Sequence, residues 1–280
     1  MKDVSITTTE DRFDGEGGVR IFYRSWLPAE APKAVLVLQH GFNSHSGLYD
    51  RPAREFAAAG FAVYACDLRG RGQSDGERFY VEDFSEYVSD LSRMVDLARS
   101  RHPSLKIFLL GHSAGGVVSC MYALDRQDGL AGLVCESFAY KVPAPDFALA
   151  AIRGLAHVFP HAHVLKLKNE DFSRDPAVVA VLNADPLIAN ETQPTQTVAQ
   201  MSLADNRLSE SFGLFHLPLL IIHGSEDHAT RPDGSREFFA KAGSADKTLK
   251  IYEGHFHDLL ADVGREEVMA DIRDWLNRHL

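Results

Sequence analysis

Ile107-Phe108-Leu109-Leu110-Gly111-His112-Ser113-Ala114-Gly115-Gly116 is the stretch whose reading decides the fold. Its first four residues are apolar and fit a short strand buried on both faces. The small and apolar residues from Ala114 to position 124 fit a helix with a tightly packed first turn. Between the two, Ser113 sits on a turn so sharp that the positions two before and two after it must carry almost no side chain. Gly111 and Gly115 meet that need. A serine held this way shows its hydroxyl above the end of the strand, the nucleophile-elbow pattern. A structural Gly-rich turn has the same composition, so a catalytic reading requires a base and an orienting acid elsewhere in the chain.

Outward from the elbow, strand and helix patterns alternate. Strands are expected at 4–9, 19–26, 34–39, 61–66, 107–110, 132–135, 217–223 and 249–252, the first two joined by a Gly-rich turn at 14–18. Helices are expected at 52–59, closed by Gly60, and at 84–101, 114–124, 232–242 and 265–280. The runs at 34–39 and 61–66 are almost wholly apolar, as in strands covered on both faces. Such alternation predicts an α/β fold with a mostly parallel, eight-stranded sheet and helices on both faces. It breaks across 138–208, where Pro143, Pro145, Pro160, Pro176, Pro186 and Pro194 interrupt helical or irregular sequence. That stretch is too long for a plain loop. It is read as a structured helical lid inserted into a core made of 1–137 and 209–280.

The composition narrows the function. With 280 residues, 45% hydrophobic and 24% charged, the chain can bury a large core. A net charge of −10 argues against nucleic acid and against electrostatic docking to anionic lipid. Cys66, Cys120 and Cys135 are widely spaced in apolar contexts, without zinc or disulfide spacing, as in a reduced compartment. The polar start of the chain carries no apolar signal segment and no run is long enough to span a bilayer, so a cytoplasmic protein is expected.

A serine hydroxyl is a poor nucleophile near neutral pH and needs a histidine to take its proton and a carboxylate to orient that histidine. In an open parallel sheet, catalytic groups leave the carboxyl ends of strands. That rule thins the 13 histidines and points to the loop after the strand at 249–252 and the break at Gly254. His257 is the candidate base and His255, two residues earlier, its rival. Asp227, after the strand at 217–223, is the candidate acid, with Glu226 and Asp233 as rivals. Ser113, Asp227 and His257 then follow the serine–acid–histidine chain order of the template. His112 is read as a packing neighbour. His157, His161 and His163 make a poor metal cluster, because Pro160 disrupts their shared face and no carboxylate completes the set. The oxyanion needs two backbone N–H donors: Ala114, and Phe42 in the loop after the strand at 34–39, where Gly41 frees the path.

The motifs together resemble those of the monoacylglycerol lipases of the α/β-hydrolase superfamily and their lysophospholipase-like relatives. The likeness rests on His40-Gly41, Asp67-x-Arg69-Gly70-x-Gly72-x-Ser74, Gly111-His112-Ser113-x-Gly115-Gly116, His223-Gly224-Ser225-x-Asp227 and Tyr252-Glu253-Gly254-x-Phe256-His257. In the lid, Ser173-Arg174-Asp175-Pro176 and Ala184-Asp185-Pro186-Leu187 add to it. The resemblance implies an α/β-hydrolase fold with Ser113 as nucleophile, Asp227 and His257 as its partners, and Phe42 and Ala114 as oxyanion donors. It favours His257 over His255. The chain departs from the family at Ala114, where Met is usual, and at Asn43-Ser44-His45, where Gly-Glu-His is frequent. Both departures leave the triad alone and bear on acyl and alcohol preference.

The first lid helix, expected from Pro145 to Phe159, places Phe147, Ile152, Leu155, Val158 and Phe159 on one apolar stripe opposite Arg153 and His157. Either the stripe packs on the core, or part of it walls an acyl tunnel or touches a lipid surface. In the second case Ile152, Leu155 and Phe159 bind substrate. The expected activity is hydrolysis of a single-chain lipid ester without cofactor or metal. The alternatives are a general carboxylesterase or lysophospholipase and, in a different class, a non-catalytic binding protein on the same fold.

Overall fold

The computed structural model describes residues 5–280, so Val4, where the first strand was expected to open, lies outside the described residues. The main strands are β1 (Ile6–Asp14), β2 (Arg20–Pro28), β3 (Ala34–Gln39), β4 (Phe61–Cys66), β5 (Ile107–His112) and β6 (Gly132–Glu136). A ribbon of β7 (His163–Leu165) and β8 (Gln193–Pro194) follows, and then β9 (Leu219–Gly224) and β10 (Lys247–Tyr252). The helices are α1 (Asp50–Ala58), α2 (Phe84–Arg101), α3 (Ala114–Arg126), α4 (Asp146–Ala156), α5 (Pro176–Ala184), α6 (Thr195–Ser211), α7 (Pro232–Lys241) and α8 (Arg265–Arg278).

Eight strands form one sheet in the order β1-β2-β4-β3-β5-β6-β9-β10, with β2 antiparallel to both of its neighbours and all other pairings parallel. Period-2 side-chain alternation divides the core in two. Val35, Val37, Ile107 and Leu109 face one side, packed with Leu91 and Met94 of α2, Val117 of α3 and Phe238 of α7. Leu36, Leu38, Phe108 and Leu110 face the other, with Phe56 of α1 and Ile272 and Trp275 of α8. Each such side chain contributes roughly 1.5–3 kcal/mol by leaving water. Helices therefore cover both faces, and β5, near the middle of the sheet, delivers Ser113 at its carboxyl end.

The stretch between β6 and β9 differs in detail from its expected form. It holds α4, α5 and α6 but also the β7–β8 ribbon, whose strands are too short for period-2 patterning to reveal. α4 ends at Ala156, His157 and Val158 form a turn, and Phe159 lies outside the helix before Pro160. α6 runs through position 208 to Ser211, carrying Ala204 and Leu208 onto the core cluster.

Candidate active site

Ser113 has φ 56° and ψ −122°, a strained conformation at the junction of β5 and α3. A Cβ on Gly115 would come within 2.2 Å of the Gln39 carbonyl, and one on Gly111 within 2.5 Å of the Gly115 carbonyl. The two glycines are thus required by the close approach of β5, α3 and the end of β3. The Ser113 N–H donates to the Glu136 carbonyl on β6 at 2.9 Å, which ties the elbow to its neighbouring strand.

His257 lies in the loop after β10, its side chain fully buried. Its Nδ1 is 2.7 Å from Asp227 Oδ2, while its Nε2 is buried without a hydrogen-bond partner. Asp227, in the turn after β9, is held from several sides. Oδ1 accepts from the backbone N–H groups of Ala229 and Thr230, both at 2.8 Å, and Oδ2 accepts from the Thr230 hydroxyl at 2.7 Å. His223 Nε2 approaches Oδ2 at 3.0 Å. Burial works against the charge of Asp227, but the His257 and His223 imidazoles more than offset it and hold the carboxyl well below the usual range. His223 in turn contacts the Ser235 hydroxyl through Nδ1 at 2.7 Å.

The rivals lie elsewhere. His255 turns its Nδ1 to the Glu253 carbonyl at 3.2 Å and its ring lies 5.5 Å from Tyr252. Glu226 is exposed, and Asp233 pairs with Arg231 at the surface. His161 meets Glu77, His163 meets Thr192, and His157 is exposed, so the three share no centre.

Gly41 brings the loop after β3 against the elbow: a Cβ there would meet Ser113 Cβ at 2.8 Å and the Ala114 nitrogen at 3.2 Å. Phe42 follows at once, so the amides of Phe42 and Ala114 belong to two segments in direct contact. His40 fixes this loop. Its Nδ1 donates to the Gly41 carbonyl at 2.7 Å and its Nε2 accepts from the Leu68 N–H at 2.9 Å. Burial, partly countered by Asp67, pushes its pKa down to about 4, which keeps it a neutral linker.

Several supporting residues escape a reading of the sequence. Arg71, fully buried, lies over the Phe42 ring at 4.0 Å and pairs with Glu191 of the segment between β6 and β9. Phe172 of that segment meets the His257 ring edge-on, centroids 4.9 Å apart. His223 was signalled by its place before Gly224 at a strand end, and Arg71 by its glycine-rich loop. Glu191 and Phe172 carry no local signal. Of the expected substrate residues, Ile152 is half-buried, Leu155 is exposed and Phe159 is 59% exposed.

This sheet, elbow and strand-end arrangement define an α/β-hydrolase. The chain matches the family described as serine aminopeptidase, S33, over residues 30–264, and it belongs to that family; it is a serine hydrolase. It is 34% identical over 281 residues to the monoacylglycerol lipase of Mycolicibacterium smegmatis, covering 99% of this chain and 100% of that protein. To the human monoglyceride lipase it is 34% identical over 266 residues, covering 93% and 88%. The crystal structure of the Paleococcus ferrophilus monoacylglycerol lipase is similar with a TM-score of 0.80 and 28% identity, covering 99% of this chain and 100% of that one. Among the described residues, no helix is long and apolar enough to cross a membrane.

Proposed function

We propose that the protein hydrolyses the ester bond of monoacylglycerols or similar single-chain lipid esters, with Ser113 as nucleophile. In this reading His257 Nε2 takes the Ser113 proton as Oγ attacks the ester carbonyl. Asp227 holds the ring by Nδ1, and the amides of Phe42 and Ala114 receive the developing oxyanion. The imidazolium then protonates the leaving alcohol, an acyl-enzyme forms, and water activated by His257 releases the fatty acid. The observation that carries the reading is the pairing of His257 Nδ1 with Asp227 at 2.7 Å while its Nε2 stays buried and unpaired.

Full-length similarity to monoacylglycerol lipases supports the substrate class. We assign residues 138–208 to a lid over the core, and its apolar side, with Phe147 78% exposed, to contact with a lipid surface. Three free, buried cysteines support placement in the reducing cytoplasm. The test is hydrolysis of a panel of monoacylglycerols and p-nitrophenyl esters by wild type and Ser113→Ala. The reading predicts that kcat/KM rises with acyl length over several carbons and that every activity depends on Ser113. Equal rates on acetyl and long-chain esters would instead favour a general carboxylesterase.

A further inference from the structure

Behind the candidate triad lies a second set of ionisable groups that the reaction above leaves unused. Glu136 ends β6, His112 ends β5, and Asp258 follows His257 in the chain. One ligand atom from each of the three lies within 4.8 Å of the other two. Glu136 Oε2, His112 Nε2 and Asp258 Oδ1 are all buried without a hydrogen-bond partner. On its other oxygen Glu136 accepts from the Leu260 N–H at 3.2 Å. His112 Nδ1 is 2.8 Å from the Tyr49 hydroxyl, and its ring centroid is 4.8 Å from that of His257. With the Tyr49 hydroxyl donating to Nδ1, the ring proton of His112 sits on Nε2.

Two carboxyls this close in a buried site resist ionising together, so one of them keeps its proton and the pair carries a single negative charge. Both are displaced in that direction. Burial, with the nearby Asp258, raises Glu136 well above the carboxylate range, and burial raises Asp258 to about 6 although His257 opposes it. The titratable groups facing the set and His257 are His40, Tyr49, Cys135, His223, Asp227, Tyr252 and Asp262. Asp262 is already paired with Arg174 at 2.8 Å, and none of the others is a cation unless a histidine is protonated.

We propose that Glu136 and Asp258 are positioning residues that keep one proton between the two of them, and that the single negative charge left beside the His112 and His257 rings favours the imidazolium form of His257. The inference rests on His257 being the general base. No proton leaves the pair during catalysis: His257 takes the Ser113 proton and passes it to the leaving alcohol, while the pair keeps its own. A divalent cation in the same place would act in the opposite sense, since positive charge beside the His112 and His257 rings disfavours the imidazolium.

The test is the pH dependence of kcat/KM for wild type and the Glu136→Gln/Asp258→Asn double variant. Removing the negative charge makes the imidazolium less favourable, so the acid-side midpoint should move down by about one pH unit. A folded double variant whose midpoint is unchanged or raised overturns the proposal. So does a stoichiometric divalent cation in the purified wild type that Glu136→Gln loses. Should the double variant fail to fold, infrared spectroscopy decides on the otherwise intact protein. It is recorded in an Asp205→Asn background, because Asp205 is another buried carboxyl raised by desolvation. A protonated-carboxyl carbonyl band at neutral pH supports the shared proton and its absence overturns it. Ser113→Ala separates this inference from the assignment of the triad, since activity surviving that change would refute the triad itself.

Discussion

Glu191 accepts a hydrogen bond from the Asn43 N–H at 2.9 Å and pairs, fully buried, with Arg71. One carboxylate of the segment between β6 and β9 thereby fixes the residue next to Phe42, and its partner Arg71 covers the Phe42 ring. Through it, the proposed lid and the proposed oxyanion loop are joined by charge and by hydrogen bonds. Gln193 reinforces the junction, its Oε1 accepting from Arg71 at 2.6 Å.

Breaking this pair should be costly. Glu191→Ala leaves a buried guanidinium without its partner, a loss of about 3–5 kcal/mol. The melting temperature should fall by about 10 °C, and kcat/KM should fall with it as the Phe42 amide loses its support. Replacing both partners with apolar residues, Arg71→Met with Glu191→Leu, should recover most of the stability but not the activity. Additive effects in that double variant would show that the two residues do not act as a pair.

Two glycines make a contrast of opposite sign. Gly115→Ala would drive a Cβ to 2.2 Å from a backbone carbonyl and should cost about 3 kcal/mol or more, with loss of activity. In α4, an added Cβ at Gly154 meets nothing within 4 Å, so Gly154→Ala should stabilise by up to about 1 kcal/mol. Chemical denaturation of both variants checks the pair of values, and a tolerated Gly115→Ala would remove the close-packing account of the elbow.

The sequence revealed the elbow, the sheet and the order of the three candidate residues because each has a local signature. Gly111 and Gly115 flank a serine after an apolar run, and Asp227 and His257 follow later strands at turns. The expected range of β3 and of α2 matches the observed one at both ends, since apolar runs and helical periodicity are strong there. Short ribbons such as β7–β8 lack enough residues for a period to emerge. Contacts across long separations, Arg71 with Glu191 or Phe172 with His257, follow from how the segment between β6 and β9 folds back and leave no mark on either stretch. The end of α4 was read three residues long because Val158 and Phe159 keep the apolar stripe beyond the last helical residue.

The exposed stripe leads to a prediction about how substrate arrives. Phe147 and Phe159 are 78% and 59% exposed, so neither is needed to fill the core. Phe147→Asp with Phe159→Asp should lower the rate on monoacylglycerol presented in vesicles about tenfold or more, at roughly 0.8 kcal/mol per CH₂ withdrawn from lipid. Hydrolysis of a soluble butyrate ester should hardly change, and the melting temperature should hold. Equal losses on both substrates would place the effect at the site instead of the lipid surface.

Asp227 sets an acid limit on stability. Its folded pKa is depressed, so its contribution is in place above the usual carboxylate range near 4 and is lost as pH falls through the lower folded value. Melting curves taken from neutral pH into strong acid should therefore show a steeper loss in wild type than in Asp227→Asn. The same change should cut kcat by roughly 10⁴ if it leaves the His257 ring in the wrong tautomer, as in the serine-protease template. Parallel acid limbs in the two proteins would mean that Asp227 is not held by the imidazoles.

The proposed role of Ser113 as the residue that forms the acyl-enzyme can be read by mass spectrometry of the labelled protein. Wild type treated with a serine-directed fluorophosphonate should gain one adduct, located on the peptide that holds Ser113. Ser113→Ala should gain none and should lose on the order of 10⁶ in kcat, the cost of removing the nucleophile in a serine protease. An adduct on any other residue, or a Ser113→Ala protein that keeps more than about a tenth of wild-type activity, would contradict the account.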